Sequence, residues 1–67
     1  MILKIGDRFE EYMVPFPGKV FDWIYEIIGF KGDFAECNRI FPNGKTERVG
    51  IAIDLLKEGV FFRMIWN

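Results

Sequence analysis

The 67-residue chain contains no histidine, no serine and no glutamine, and it has a single cysteine, Cys37. Without serine and histidine, the chain has no hydroxyl–imidazole or thiol–imidazole pair for nucleophilic catalysis. One cysteine and no histidine leave neither a disulfide nor the usual ligand set of a zinc site. These absences predict a protein that is not an enzyme and that needs no metal or other cofactor.

Charge of one dominant sign and long apolar runs are missing too. Nine basic and ten acidic residues give a net charge of −1 and a pI near 5.3, whereas nucleic-acid-binding domains usually carry a basic face and a high pI. The longest apolar run, residues 27–30, is far shorter than the ~20 residues that cross a bilayer, and no targeting segment is visible. We therefore expect no membrane partner, and the lone thiol fits a reducing cytoplasm.

Aromatic side chains are abundant instead, with eight phenylalanines, two tryptophans and two tyrosines. A chain of this size buries only about 60% of its unfolded surface, while each aromatic side chain can bury roughly 150–250 Å². The rings exceed what one small core needs, so some are expected at the surface. The composition indicates one small globular domain over residues 1–67 that binds a partner.

The segment Phe41-Pro42-Asn43-Gly44-Lys45 predicts a β-hairpin with a three-residue loop. Proline presets φ at the first loop position, asparagine tolerates the second, and glycine takes the left-handed third. The loop pairs Phe41 with Lys45, and farther out it pairs Arg39 with Glu47, Cys37 with Val49, and Ala35 with Ile51. The inward face is then Ala35, Cys37, Val49, Ile51 and Ile53, and the outward face is Glu36, Asn38, Thr46 and Arg48.

A second hairpin is predicted at Phe30-Lys31-Gly32, again with glycine third. Its predicted pairs are Ile27 with Ala35, Tyr25 with Cys37, and Trp23 with Arg39, which extend the same inward face through Phe21, Trp23, Tyr25 and Ile27. The competing interpretation is an amphipathic helix over 18–28 packed on an antiparallel sheet, because apolar residues there also recur at helical spacing. The β-branched and aromatic composition of this segment favours the strand.

The remaining elements are a first strand from Ile2 to about Phe9, a loop over 10–19, a helical turn near 54–58 closed by Gly59, and a last strand over 60–66. The predicted fold is therefore mainly all-β, a five-stranded small barrel with one short helical turn. The alternative is an α+β fold with the helix at 18–28.

Gly6-Asp7-Arg8-Phe9, the aromatic segment 23–28 and the segment 35–39 resemble small uncharacterised SH3-like barrels of bacteria and phages. The resemblance covers nearly the whole chain as a pattern of spacing. It implies an SH3-like barrel and, by analogy, a phage or mobile-element accessory protein that binds and inhibits a host protein. The Ala-Leu-Tyr-Asp-Tyr-like segment and tryptophan pair of peptide-binding SH3 domains are missing, so proline-motif recognition is not implied.

Another protein is the favoured partner, because several apolar residues have no evident place in the core. Contiguous exposed apolar patches above a few hundred Å² usually mark interfaces. The candidate protein-binding residues lie in the first loop, on the outward face and, for Phe30, at a turn tip: Tyr12, Met13, Phe16, Ile28, Phe30 and Phe34. Self-association into a homo-oligomer would bury the same patch. Acidic residues near it, Glu10, Glu11, Asp22 and Glu26, are candidates for mimicking nucleic-acid charge.

The alternative partner is nucleic acid. Trp23 beside Arg39 predicts a cation–π pair that doubles as a stacking platform for a single-stranded base. The candidate residues for this function are Trp23, Arg39, Lys45 and Arg48.

Two further features have ordinary structural interpretations. Cys37 is predicted to be buried, where a thiol behaves as a small hydrophobic side chain. Glu26 and Glu36 are predicted to face each other on an open strand surface, which offers no cleft for a substrate.

Overall fold

The computed structural model describes residues 2–12 and 20–65, which form five β-strands and one short helix. The elements in chain order are β1 (Arg8–Tyr12), β2 (Val20–Lys31), β3 (Phe34–Ile40), β4 (Thr46–Ala52), α1 (Ile53–Glu58) and β5 (Phe62–Met64). The predicted class, all-β with one short helical turn, is confirmed. The alternative helix is wrong over residues 20–28, because this segment is a strand whose backbone pairs on both sides.

The strands form one antiparallel sheet in the order β4-β3-β2-β1-β5. β2 pairs with β1 through its first half and with β3 through its second half. α1 connects the two edge strands along the chain and contacts both. Because all five strands and α1 contribute to a single buried cluster, the sheet curves around one core, formed by Phe9, Tyr25, Ile27, Ala35, Cys37, Ile51, Leu56 and Phe62. The side of the sheet that faces this core is called the inner face below, and the other side the outer face.

The β3–β4 hairpin has the predicted register. Arg39 lies opposite Glu47, and the two pairs farther from the loop are those expected. The Phe41 N–H donates to the Lys45 carbonyl at 2.9 Å, and Gly44 has a φ of 87°. The loop chemistry therefore acts as predicted, since only glycine adopts this left-handed backbone without strain.

The predicted register of β2 and β3 is wrong by two residues. Tyr25 lies opposite Arg39 rather than Cys37, and Ile27 lies opposite Cys37 rather than Ala35. Because the shift is an even number, Tyr25 and Ile27 still point to the inner face and are buried, as predicted.

Two local features produce the shift. The turn consists of two residues, Gly32 and Asp33, with Lys31 opposite Phe34, and Gly32 supplies the positive φ of 56° that its first position needs. The pairing then changes by one residue between Ile27 and Gly29, as at a β-bulge. The predicted three-residue loop accounts for neither feature.

The first strand begins later and extends farther than predicted. The chain turns at Gly6, which has a φ of 96°, and the Asp7 N–H donates to the Lys4 carbonyl at 3.1 Å. Residues 10–12, predicted as loop, continue β1 because they pair with β2 on one side and with β5 on the other.

The C-terminal elements follow the prediction in part. α1 ends at Gly59, which has a φ of 71°, so the glycine-closed helical turn is confirmed. The last strand covers only Phe62–Met64 instead of residues 60–66. The predicted loop residues 13–19 lie outside the described residues.

Candidate functional site

The structure does not bring together the four candidate protein-binding residues that it describes, Tyr12, Ile28, Phe30 and Phe34. Tyr12 pairs with Val20 at the start of β2, whereas Phe34 pairs with Lys31 at its end. Met13 and Phe16 lie outside the described residues. The candidates with known positions therefore divide between the two ends of the longest strand.

Tyr12 has contacts within the fold that account for its ring. The Arg63 guanidinium carbon lies 4.6 Å from the ring centroid, a cation–π geometry. The Tyr12 hydroxyl lies 3.3 Å from a Glu10 carboxylate oxygen. These contacts explain an aromatic side chain here without an external partner.

Phe30 and Phe34 lie near the tip of the β2–β3 hairpin, on opposite faces. Phe30 is 44% exposed and pairs with Ala35 on the inner side, where it borders a shallow depression with Ile2, Ile53 and Lys57. Phe34 is 52% exposed on the outer face. Ile28 is only half-buried at the bulge. Of the four candidates that the structure describes, only Phe34 is an exposed side chain on the outer face.

A shallow depression surrounds Phe34 on the outer face of β3 and β4, lined in part by Lys31, Phe34, Glu36, Arg48 and Gly50. We call it the Gly50 surface. Glu36 pairs with Gly50, and Phe34 lies one outer-face position farther along β3. A Cβ added to Gly50 would meet no heavy atom within 4 Å, so the space above this glycine is open.

The predicted contact between Trp23 and Arg39 is confirmed, although the two residues are not directly opposite. The guanidinium carbon of Arg39 lies 5.5 Å from the Trp23 ring centroid and 5.4 Å from that of Tyr25. Phe21 stacks on Trp23 with centroids 4.7 Å apart, and Phe41 meets Trp23 edge-on at 5.8 Å. An aromatic–cation cluster therefore occupies this end of the inner face.

Glu11 is the centre of a hydrogen-bond network in this cluster. The Tyr25 hydroxyl donates to its carboxylate at 2.6 Å, and the Trp23 indole N–H donates to the same oxygen at 2.9 Å. Arg39 Nε donates to the Tyr25 hydroxyl at 3.1 Å. Burial, followed by the hydrogen bond to Glu11, raises the pKa of Tyr25 above its ordinary value. The network fixes Trp23 and Arg39 in place.

The cations of the nucleic-acid alternative are separated and partly neutralised. Arg39 Nη1 donates to Glu47 at 2.7 Å, so its charge is compensated at short range. Arg48 lies on the outer face, because it alternates with the inward-facing Glu47 and Val49 along β4. Arg39 and Arg48, two of the three candidate cations, therefore lie on opposite faces of the sheet and do not form one basic face with Trp23.

The predicted opposition of Glu26 and Glu36 is wrong, as a consequence of the register shift. Glu26 lies opposite Asn38 and accepts from Arg8 Nε at 2.8 Å. Glu36 lies opposite Gly29, and its carboxylate is 3.9 Å from Arg48. Of the acidic residues considered as charge mimics, Glu11 and Glu26 are thus engaged within the fold.

Cys37 is buried at the centre of β3, as predicted. Burial raises the pKa of its thiol to about 11. At neutral pH the side chain is therefore a protonated thiol, which is a poor nucleophile and a poor metal ligand.

Two features of the site were not predicted. Glu11 was placed in a loop, although its alternation with the buried Phe9 would assign both to the inner face of one strand. Gly50 is the other such feature, although a glycine inside a strand and away from a turn is itself a signal of close approach by another group. Within residues 2–12 and 20–65, no cluster of acidic or cysteine residues has metal-site geometry, and no helix is long and apolar enough to cross a membrane.

Comparisons with known proteins assign no relative. No protein-family model matches the chain, and no curated protein or solved structure matches it significantly.

Proposed function

We propose that this chain is a non-catalytic protein-binding module. The observation that carries the proposal is the exposed ring of Phe34 beside the open space over Gly50. An exposed aromatic ring next to an unfilled depression is the kind of anchor that dominates protein–protein interfaces. The composition supports a binding role, since residue types for nucleophilic catalysis are scarce in the chain.

An SH3-like barrel of a phage or mobile element that occludes a host protein is one form of this function, and it rests on the resemblance alone. Nucleic-acid binding has less support, because Arg39 is paired with Glu47 and Arg48 lies on the other face. Self-association is the third alternative. Oligonucleotide titration at low salt and sedimentation of the purified chain test these two alternatives directly.

The proposal is tested by affinity capture from the source organism and from its host, followed by quantitative mass spectrometry. Phe34→Asp places a charge on the Gly50 surface and should abolish capture of the specific partner. Ile5→Asp is the matched control, because Ile5 is 68% exposed and does not line this surface. Circular dichroism verifies that both variants fold. Equal recovery with Phe34→Asp and the wild type would refute the proposed site.

A further inference from the structure

Gly50 lies in the interior of β4, where the fold gives no reason for glycine. Its φ is not in the left-handed region, unlike those of the turn glycines Gly32 and Gly44. A Cβ at Gly50 would meet no atom of the described chain within 4 Å. Glycine weakens a strand interior, and such positions often mark the close approach of another backbone or a ligand. Within the described residues, neither a turn nor a close packing contact accounts for the glycine at position 50.

β4 also has backbone hydrogen-bonding groups at the edge of the sheet. Among the described strands it pairs only with β3 and lies at the end of the sheet. The Phe41 N–H bonds to the Lys45 carbonyl, and the ladder continues without a register shift. Hydrogen-bonded and non-bonded pairs alternate along an antiparallel ladder, so the peptide groups of Thr46, Arg48 and Gly50 point away from β3, toward the free edge.

The side chains around this edge indicate which residues a segment bound there would carry. Phe34 is half-exposed next to the space over Gly50. Arg48 is 66% exposed and approaches Glu36 only to 3.9 Å, which leaves its guanidinium available for a closer carboxylate. Gly50 and Arg48 are two residues apart, so they lie on the same face of the strand.

We propose that β4 accepts an extended segment of another protein as an additional antiparallel or parallel strand. An aromatic side chain of that segment covers Gly50 beside Phe34, because edge glycines are stabilised by a ring from a neighbouring strand. A carboxylate of the segment, two residues away, pairs with Arg48. A second copy adding through its own β4 does not fit, since the sequence Thr46–Ala52 contains no aromatic residue. The inference rests on the proposed function and specifies its mode.

The test begins with a display library of short random peptides, selected on the wild type and counter-selected on Gly50→Val. The enriched peptides should share an aromatic and an acidic residue two positions apart. A synthetic peptide of that sequence should bind the Gly50→Val variant about tenfold more weakly or worse. Thr46→Val is the control, because it places the same valine side chain on the same face of β4 at a position that is already β-branched, and it leaves the space over Gly50 open. Its affinity should equal that of the wild type.

Amide hydrogen exchange gives a readout specific to strand addition. In the free protein, the amides of Arg48 and Gly50 should exchange fast, while the Val49 amide, which points toward β3, is protected. Saturation with the selected peptide should protect Arg48 and Gly50. Enrichment of no peptide, equal affinity for Gly50→Val, or protection confined to other strands would each overturn the proposed mode.

Two outcomes separate this inference from the proposed function. If affinity capture is lost in Phe34→Asp but kept in Gly50→Val, the binding function stands and strand addition is wrong. If both variants capture as the wild type does, the proposed site and strand addition both fail, and if the wild type itself captures no specific partner, the proposed function fails. A dimer in sedimentation, with Gly50 protected in the absence of peptide, would identify a second copy as the occupant and overturn the choice of a foreign segment.

Discussion

The two faces of the sheet differ in how completely their side chains are hydrogen-bonded and packed against other residues of the fold. On the inner face, Glu11, Tyr25 and Arg39 bond to each other, and the rings around them stack. On the outer face, the ring of Phe34 and the open space over Gly50 adjoin without filling each other. The aromatic–cation cluster is bonded and stacked within the fold, whereas the exposed ring beside Gly50 is the surface on which the proposed binding function depends.

The largest contrast between the faces is expected from removal of a phenyl ring. Phe9 is completely buried, so Phe9→Ala should lower the free energy of unfolding by about 3–5 kcal/mol and leave this small domain largely unfolded. Phe34→Ala should change it by no more than about 0.5 kcal/mol. Chemical denaturation of both variants provides the measurement. Comparable losses would show that Phe34 belongs to the core and would remove the distinction.

Cys37 tests whether the inner face is sealed from water. Its pKa is raised from 9.0 to about 11 in the folded chain, so the unfolded chain loses this proton first as the pH rises. The protonated thiol therefore contributes to the free energy of unfolding below pH 9. This contribution, roughly 2–3 kcal/mol in total, is lost as the pH rises from 9 to 11.

The free energy of unfolding, measured with urea at several pH values, should therefore fall more steeply in the wild type than in Cys37→Ala. Tyr25 is present in both proteins, so the difference between their slopes isolates the thiol. Parallel curves through this window would mean that water reaches Cys37.

Because of the hydrogen-bond network, the hydroxyl of Tyr25 should contribute more to the free energy of unfolding than the hydroxyl of Tyr12. Tyr25→Phe leaves the Glu11 carboxylate and Arg39 Nε without a shared partner, and it should cost about 1–3 kcal/mol. Tyr12→Phe removes only a 3.3 Å contact with Glu10 and should cost about 0.5 kcal/mol or less. Thermal or urea unfolding of this matched pair decides the point. Equal effects would show that the network adds no stability.

The smallest expected effect concerns the glycines of the β3–β4 hairpin. Gly50→Ala should raise the free energy of unfolding by about 0.5–1 kcal/mol, because glycine in a strand is the poorer choice and space for a methyl group exists. Gly44→Ala should lower it by more than that amount, since alanine is strained at a φ of 87°. A loss of stability in Gly50→Ala would give this glycine a role in folding and weaken the case for a binding edge.

The same division between local and distant determinants separates the predictions that succeeded from those that failed. The Phe41–Lys45 loop sets its own register through the φ preferences of three consecutive residues, so the β3–β4 pairing is predictable. At the β2–β3 turn, the same argument from glycine fails for two reasons. Gly32 takes the first position of a two-residue turn instead of the third position of a three-residue loop, and the bulge between Ile27 and Gly29 then shifts the pairing by one residue.

The candidate site was less predictable than the fold. The contact between Trp23 and Arg39 is predictable, but both residues bond to the Tyr25 hydroxyl, and the acceptor of that hydroxyl, Glu11, is fourteen positions from Tyr25 in sequence. Phe30 and Phe34 were assigned to one surface, yet the bulge turns them to opposite faces. A register shift of one residue moves each side chain of a strand to the opposite face of the sheet. An error of one position in the predicted register therefore assigns residues to the wrong face.

The sequence by itself determined the strand class of residues 20–28, the register of β3 and β4, the helical turn closed by Gly59, and which side chains of β3, β4 and the part of β2 before the bulge face inward. These features follow from period-two alternation and from backbone preferences within a few residues. Only the tertiary structure decided the extent of β1, the bulge in β2, the closed network around Glu11 and the open space over Gly50. Each of these depends on which distant strand lies alongside, and no local preference encodes that neighbour.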